Sequence, residues 1–117
     1  MVRAKIRFSD EAKEVLSFIT ESAANSKKEK MLLNAIMSKI EIIKKNPHYG
    51  NNIPKGLIPK YYKDKYYINN LFRIKLPLFW RMLYSLKKEK NEIEIISFVL
   101  DILDHKDYNK KFGYKKH

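Results

Sequence analysis

Residues 71–86 read LFRIKLPLFWRMLYSL, which places Arg73, Lys75 and Arg81 in an otherwise apolar stretch. Successive side chains of a strand point to opposite faces. Phe72, Ile74, Leu76, Trp80, Met82 and Tyr84 therefore share one parity, and Leu71, Arg73, Lys75, Arg81 and Leu83 share the other. A two-residue loop would pair Lys75 with Trp80 and turn one strand's apolar set to the wrong face, which a buried face does not tolerate. An odd loop, Pro77-Leu78-Phe79, pairs Leu76 with Trp80 and Lys75 with Arg81. Three like charges within about 5–8 Å repel one another. Such a cluster suits an anion that comes to sit there. The alternatives are a carboxylate close to each cation, or side chains splayed into solvent.

The elements that would position these cations follow from the rest of the chain. Its 117 residues, 44% of them hydrophobic, suit one domain over 1–117. No apolar run approaches the length of a membrane span. The first residues, MVRAKIRFSDEAKE, hold no apolar signal core, and no cysteine is present for disulfides or thiolate metal sites. These features predict a cytoplasmic protein that is not bound to membranes and suggest no cofactor or metal. The net charge is +12: residues 1–45 carry 10 basic and 6 acidic side chains, and residues 46–117 carry 15 and 7. An excess concentrated in the second part favours a polyanionic partner, either nucleic acid or an acidic protein; a merely solvated basic surface is the plainer alternative.

AKIRF (4–8) alternates and predicts a strand. Ser9 then caps a helix whose first residues, Asp10 and Glu11, suit the positive end of the dipole, with Ala12, Val15, Leu16, Ile19 and Ala23 on one stripe. Ser26 and Glu29 have capping-box spacing before a second helix carrying Leu32, Ile36, Ile40 and Ile43, which stops at Asn46-Pro47. The short connection predicts an antiparallel helical hairpin. Residues 46–70 hold three of the four prolines and five of the eight tyrosines, with Lys55, Lys60, Lys63 and Lys65 against one acid, Asp64. This segment either wraps the sheet with a helical turn near Lys60–Tyr66, or offers Lys63 and Lys65 to RNA, or does both. KKEKN (87–91) reads as a polar turn, IEIISFVL (93–100) as a central strand buried on both faces, and LDHKDYNKKFGYKKH (103–117) as a short helix with a basic end. The expected fold is α+β: an N-terminal strand, an α-helical hairpin packed on an antiparallel sheet of about four strands, and a short C-terminal helix.

FRIKLPLFWRMLY (72–84) resembles the strand pair of the RelE/ParE superfamily of type II toxins, and the element order of nearly the whole chain is similar to that family's. The resemblance implies a toxin of a toxin–antitoxin system that cleaves mRNA on the ribosome without a metal, the ribose 2′-hydroxyl attacking the neighbouring phosphate. Arg81 would stabilise the charge gathered in the transition state, and Arg73 and Lys75 would grip flanking phosphates. A second match, IISFVLDILDHKDYNKKFGY (95–114), brings His105, Lys106 and Tyr108. His105 has the ordinary pKa closest to neutrality and suits a general acid or base. Tyr108 would stack on a base or transfer a proton, and Lys106 would add a phosphate contact. Plainer readings make His105 a structural residue of the tail, and Tyr108 and Phe112 anchors on the sheet.

The chain departs from this pattern at one point. Active members usually carry an arginine between the last strand and the tyrosine, whereas here Lys106 stands among Asp101, Asp104 and Asp107. The alternatives are a ParE-like member that targets a protein, or a non-catalytic RNA- or ribosome-binding member. An antitoxin helix would fit the groove beside the helical hairpin. His48 reads as a turn residue, and His117 is terminal.

Overall fold

The structure, a computed structural model, describes residues 4–88 and 95–113. Its elements in order are β1 (Ala4–Phe8), α1 (Asp10–Ala23), α2 (Lys27–Lys45), β2 (Asn51–Asn52), α3 (Lys60–Tyr66), β3 (Phe72–Lys75), β4 (Arg81–Lys88), β5 (Ile95–Leu103) and α4 (His105–Phe112). Single 3-10 turns lie at Lys55–Leu57 and Pro77–Phe79.

Local chemistry accounts for the helix ends. Ser9 Oγ accepts the Ala12 N–H at 3.0 Å and opens α1. At α2 the capping box closes differently from its usual form. Ser26 donates to the Glu29 carboxylate and makes no side-chain bond to the helix backbone. Asn46 ends α2, its N–H still reaching Ile42 O at 2.8 Å before Pro47 breaks the run.

The strand order is β1-β5-β4-β3-β2. β2 to β5 form the expected antiparallel sheet of four strands, and β1 adds a fifth, parallel to β5, with Ala4 opposite Ile95 and Phe8 opposite Val99. Parity and register in the central hairpin are as the sequence predicts: Ile74 faces Met82, and Lys75 faces Arg81. α1 and α2 cover one sheet face, where Ile19, Leu32, Ile36 and Ile43 pack on Phe72, Ile74, Met82, Tyr84, Val99 and Ile102.

The other face carries a second apolar cluster beside the arginines. Leu71, Leu83 and Leu103 come from the sheet, Ile53, Ile58, Tyr62 and Ile68 from the 46–70 segment, and Tyr108 from α4. That segment does wrap the sheet, with α3 where the helical turn was expected. Its tyrosines divide: Tyr62 is fully buried, whereas Tyr67 is 88% exposed.

A bulge in β5 sets which side chains reach this face. Leu83 pairs with Asp101 and Tyr84 with Val99, so Leu100 is the extra residue. The phase shift turns Asp101 and Leu103 outward while Val99 and Ile102 stay under the helices. Within the predicted run Ser97 and Val99 are buried, and beyond it so are Asp101, Ile102 and Leu103. Ile93 and Glu94, with residues 89–91 of the polar turn and His117, lie outside the described residues. No helix among the described residues is long and apolar enough to cross a membrane.

Candidate functional site

The β3–β4 hairpin presents its cations through a strained turn. Leu76 N–H bonds Trp80 O at 2.9 Å and closes the loop, while Leu78 (φ 59°) and Phe79 (φ 63°) both adopt the left-handed conformation. Phe79 is 72% exposed. The loop keeps Lys75 exposed directly across from the half-buried Arg81, with Arg73 two residues along on the same face.

α4 supplies the group around which the arginines gather. Asp104 caps it, accepting the Asp107 N–H at 2.9 Å, and Gly113 ends it at φ 72°. Arg73 Nη1 donates to Tyr108 Oη at 3.2 Å. The Arg81 guanidinium carbon lies 5.6 Å from the centre of the same ring, and Arg81 Nη1 donates to Trp80 O at 3.0 Å. The Nε atoms of Arg73 and Arg81 are buried without a hydrogen-bond partner, and among the described residues neither guanidinium has a carboxylate within ion-pair distance. The exposed parts of these half-buried guanidiniums, with no carboxylate to pair with, suit an anion held by charge-assisted hydrogen bonds.

Tyr108 itself is only 4% exposed and stacks on Phe112 with centroids 4.4 Å apart. Its ring lies in the second cluster rather than open to a base, so its hydroxyl positions Arg73. His105 opens α4 and is exposed; its ring centre is 5.9 Å from that of Phe79, and Nε2 is 3.3 Å from Asn109 Nδ2. Lys106 and Lys63 are exposed. Lys65 is engaged elsewhere: it ion-pairs with Glu11 of α1 and lies 5.5 Å from the centre of the Tyr61 ring.

Two of the three acids around Lys106 have structural roles. Asp101 is buried on the arginine face, where it accepts the Tyr62 hydroxyl at 2.9 Å and ties α3 to β5. Burial pushes its pKa up, partly offset by the Tyr62 hydrogen bond and the nearby Lys111 charge; burial and the Asp101 charge push the Tyr62 phenol up as well. Asp104 is the α4 cap. Asp107 turns toward Tyr61, Lys110 and Lys111, where it helps line another cavity.

The sequence reading missed the wall of the neighbouring groove. A cavity of about 370 Å³ is lined by Lys39, Tyr49, Gly50, Asn51, Arg73, Ile74 and Lys75, with no acid among them. Lys39 donates to Tyr49 Oη at 3.1 Å. Tyr84 holds this wall: its hydroxyl donates to Pro47 O at 2.8 Å and accepts the Gly50 N–H at 2.9 Å. Arg73 thus belongs both to the Tyr108 cluster and to the groove. The signal available in the sequence was Gly50 after His48-Tyr49 at a strand start, but nothing local tied Lys39 to it. Among the described residues no group of three acids or histidines stands together as a metal site would require.

The arrangement groups two guanidiniums and a lysine on one sheet face, with a cationic groove beside them and His105 against Phe79 of the turn. Comparisons of the chain with protein-family models, with curated proteins and with solved structures give no match.

Proposed function

We propose that the chain is an endoribonuclease resembling RelE, a toxin that cuts mRNA on the ribosome and is held in check by an antitoxin protein in the cytoplasm. One observation carries the reading: Arg73 and Arg81 converge on Tyr108, and among the described residues neither has a carboxylate partner. In the reaction the 2′-oxygen bonds to phosphorus and the bond to the 5′-oxygen breaks, leaving a 2′,3′-cyclic phosphate and a 5′-hydroxyl. One proton leaves the 2′-oxygen and one arrives at the 5′-oxygen. Arg81 stabilises the non-bridging oxygens as charge gathers on them. Arg73, oriented by Tyr108, and Lys75 grip the phosphates on either side, and Lys106 and Lys63 add charge along the approach. His105 exchanges protons from the rim.

Expression in translating cells followed by primer extension on an mRNA tests the proposal. Arg81→Ala should slow cutting by about 10²–10³-fold, the usual cost of losing a preorganised transition-state donor, while a change at the exposed Lys28 of α2 leaves the cuts in place. Wild type that neither slows growth nor cuts RNA would sink the enzyme reading.

The buried ring of Tyr108, together with Lys106 in place of the usual arginine, favours one alternative, a member that binds RNA without cutting it. Ribosome association that requires Arg73 and Arg81 in the absence of cuts would mark that outcome.

A further inference from the structure

The turn at Pro77–Phe79 has features that closing a hairpin does not require. Two consecutive residues with side chains, Leu78 and Phe79, hold left-handed backbone, a region that glycine enters freely and other residues enter at a cost. That cost is sustained with Phe79 projecting outward, 72% exposed, although phenylalanine gains most when buried. The turn beneath the ring is closed by a backbone hydrogen bond, and one other ring stands near it. Trp80 N–H bonds Pro77 O at 3.2 Å below it, and the His105 ring stands 5.9 Å away at 55°. Lys75 and Arg81, paired across the hairpin, lie immediately beneath the turn. An outward aromatic ring at the end of a cationic strand pair combines the two parts of a single-strand nucleic-acid site: charge for the backbone and a face for a base.

We propose that Phe79 is the stacking platform for the RNA base next to the phosphate held at Arg81, with His105 at its edge. The proposal rests on the RNA-binding reading above and adds to it a residue that holds a base. Stacking reads a π-face rather than a hydrogen-bond pattern, so the larger face of a purine is favoured.

The test measures binding of a short fluorescein-labelled single-stranded RNA by anisotropy, alongside the thermal midpoint, in the full chain. Phe79→Gly should relieve the turn, leaving Tm equal to or above wild type, while weakening RNA binding by about 5-fold or more. Phe79→Leu, which keeps size but lacks the π-face, should weaken binding similarly, and Phe79→Trp should restore it. RNA with a purine at the stacked position should lose more affinity on Phe79→Leu than RNA with a pyrimidine there. If Arg81→Ala loses binding but Phe79→Gly and Phe79→Leu bind like wild type, the platform is refuted and the RNA site stands. If Tm falls together with affinity and Phe79→Trp fails to restore it, Phe79 serves the fold and the platform is refuted. A wild-type chain that does not bind RNA refutes both.

Discussion

Asp101 shows how a residue's surroundings decide what its charge does. Beside a proposed phosphate site it reads as a repulsive charge, yet it is buried and receives the Tyr62 hydroxyl. Its folded pKa lies above the ordinary 3.8 because burial disfavours the charged form. The folded chain therefore binds the proton more tightly than the unfolded chain, and stability falls as pH rises from 3.8 through the raised value. Asp101→Asn keeps an acceptor for Tyr62 and loses the 3.2 Å contact from Ile102 N–H and the attraction to Lys111, against which it removes the larger cost of a buried charge. The asparagine variant should melt higher than wild type at neutral pH, and the gap should close as pH falls below 3.8. Thermal melts across that range check it, and an asparagine variant less stable at neutral pH would count against the assignment. The outward turn of Asp101 was not legible, because it depends on the extra residue Leu100, and a bulge leaves no mark in a run of apolar letters.

Elements of this chain were legible where the deciding forces are local. Asn46-Pro47 stops a helix by sterics alone, and the parity of LFRIKLPLFWRMLYSL leaves one loop length that keeps both apolar sets inside. Placement between distant elements was not. The partner of Lys65 is Glu11, 54 positions away, and the phenol that holds the loop after α2 belongs to β4. That docking gives a prediction at Gly50. A β-carbon there would stand 3.0 Å from Tyr84 Cε1 and Oη and 3.2 Å from Arg73 O. Tyr84 is fully buried and bonded on both sides, so it has little room to yield. Gly50→Ala should cost about 1–3 kcal/mol, read by denaturant unfolding. It should also weaken RNA binding through the displaced groove wall, whereas an alanine at the open position Gly56, where nothing lies within 4 Å, should do neither.

Over the whole molecule a charge of +12 bears on association rather than on fold. If RNA binds across Arg73, Lys75, Arg81 and Lys106, about four phosphates are neutralised, and log affinity should fall against log salt with a slope near −3 for a single strand. Lys106→Ala should make that slope shallower by about 0.7, and a slope independent of Lys106 would remove it from the RNA path. The parallel strand β1 carries a different consequence, for the order in which the fold assembles. Its partner is the last strand of the sheet, so Ala4 waits for Ile95 and Phe8 for Val99. During synthesis the helical hairpin emerges with most of its sheet still unmade, and β1 gains its neighbour only once β5 has left the ribosome. α4 and Tyr108 follow β5, so the arginines acquire their anchor only after the strands of the sheet have been made. Until then the cations on the other face have no tyrosine to gather around.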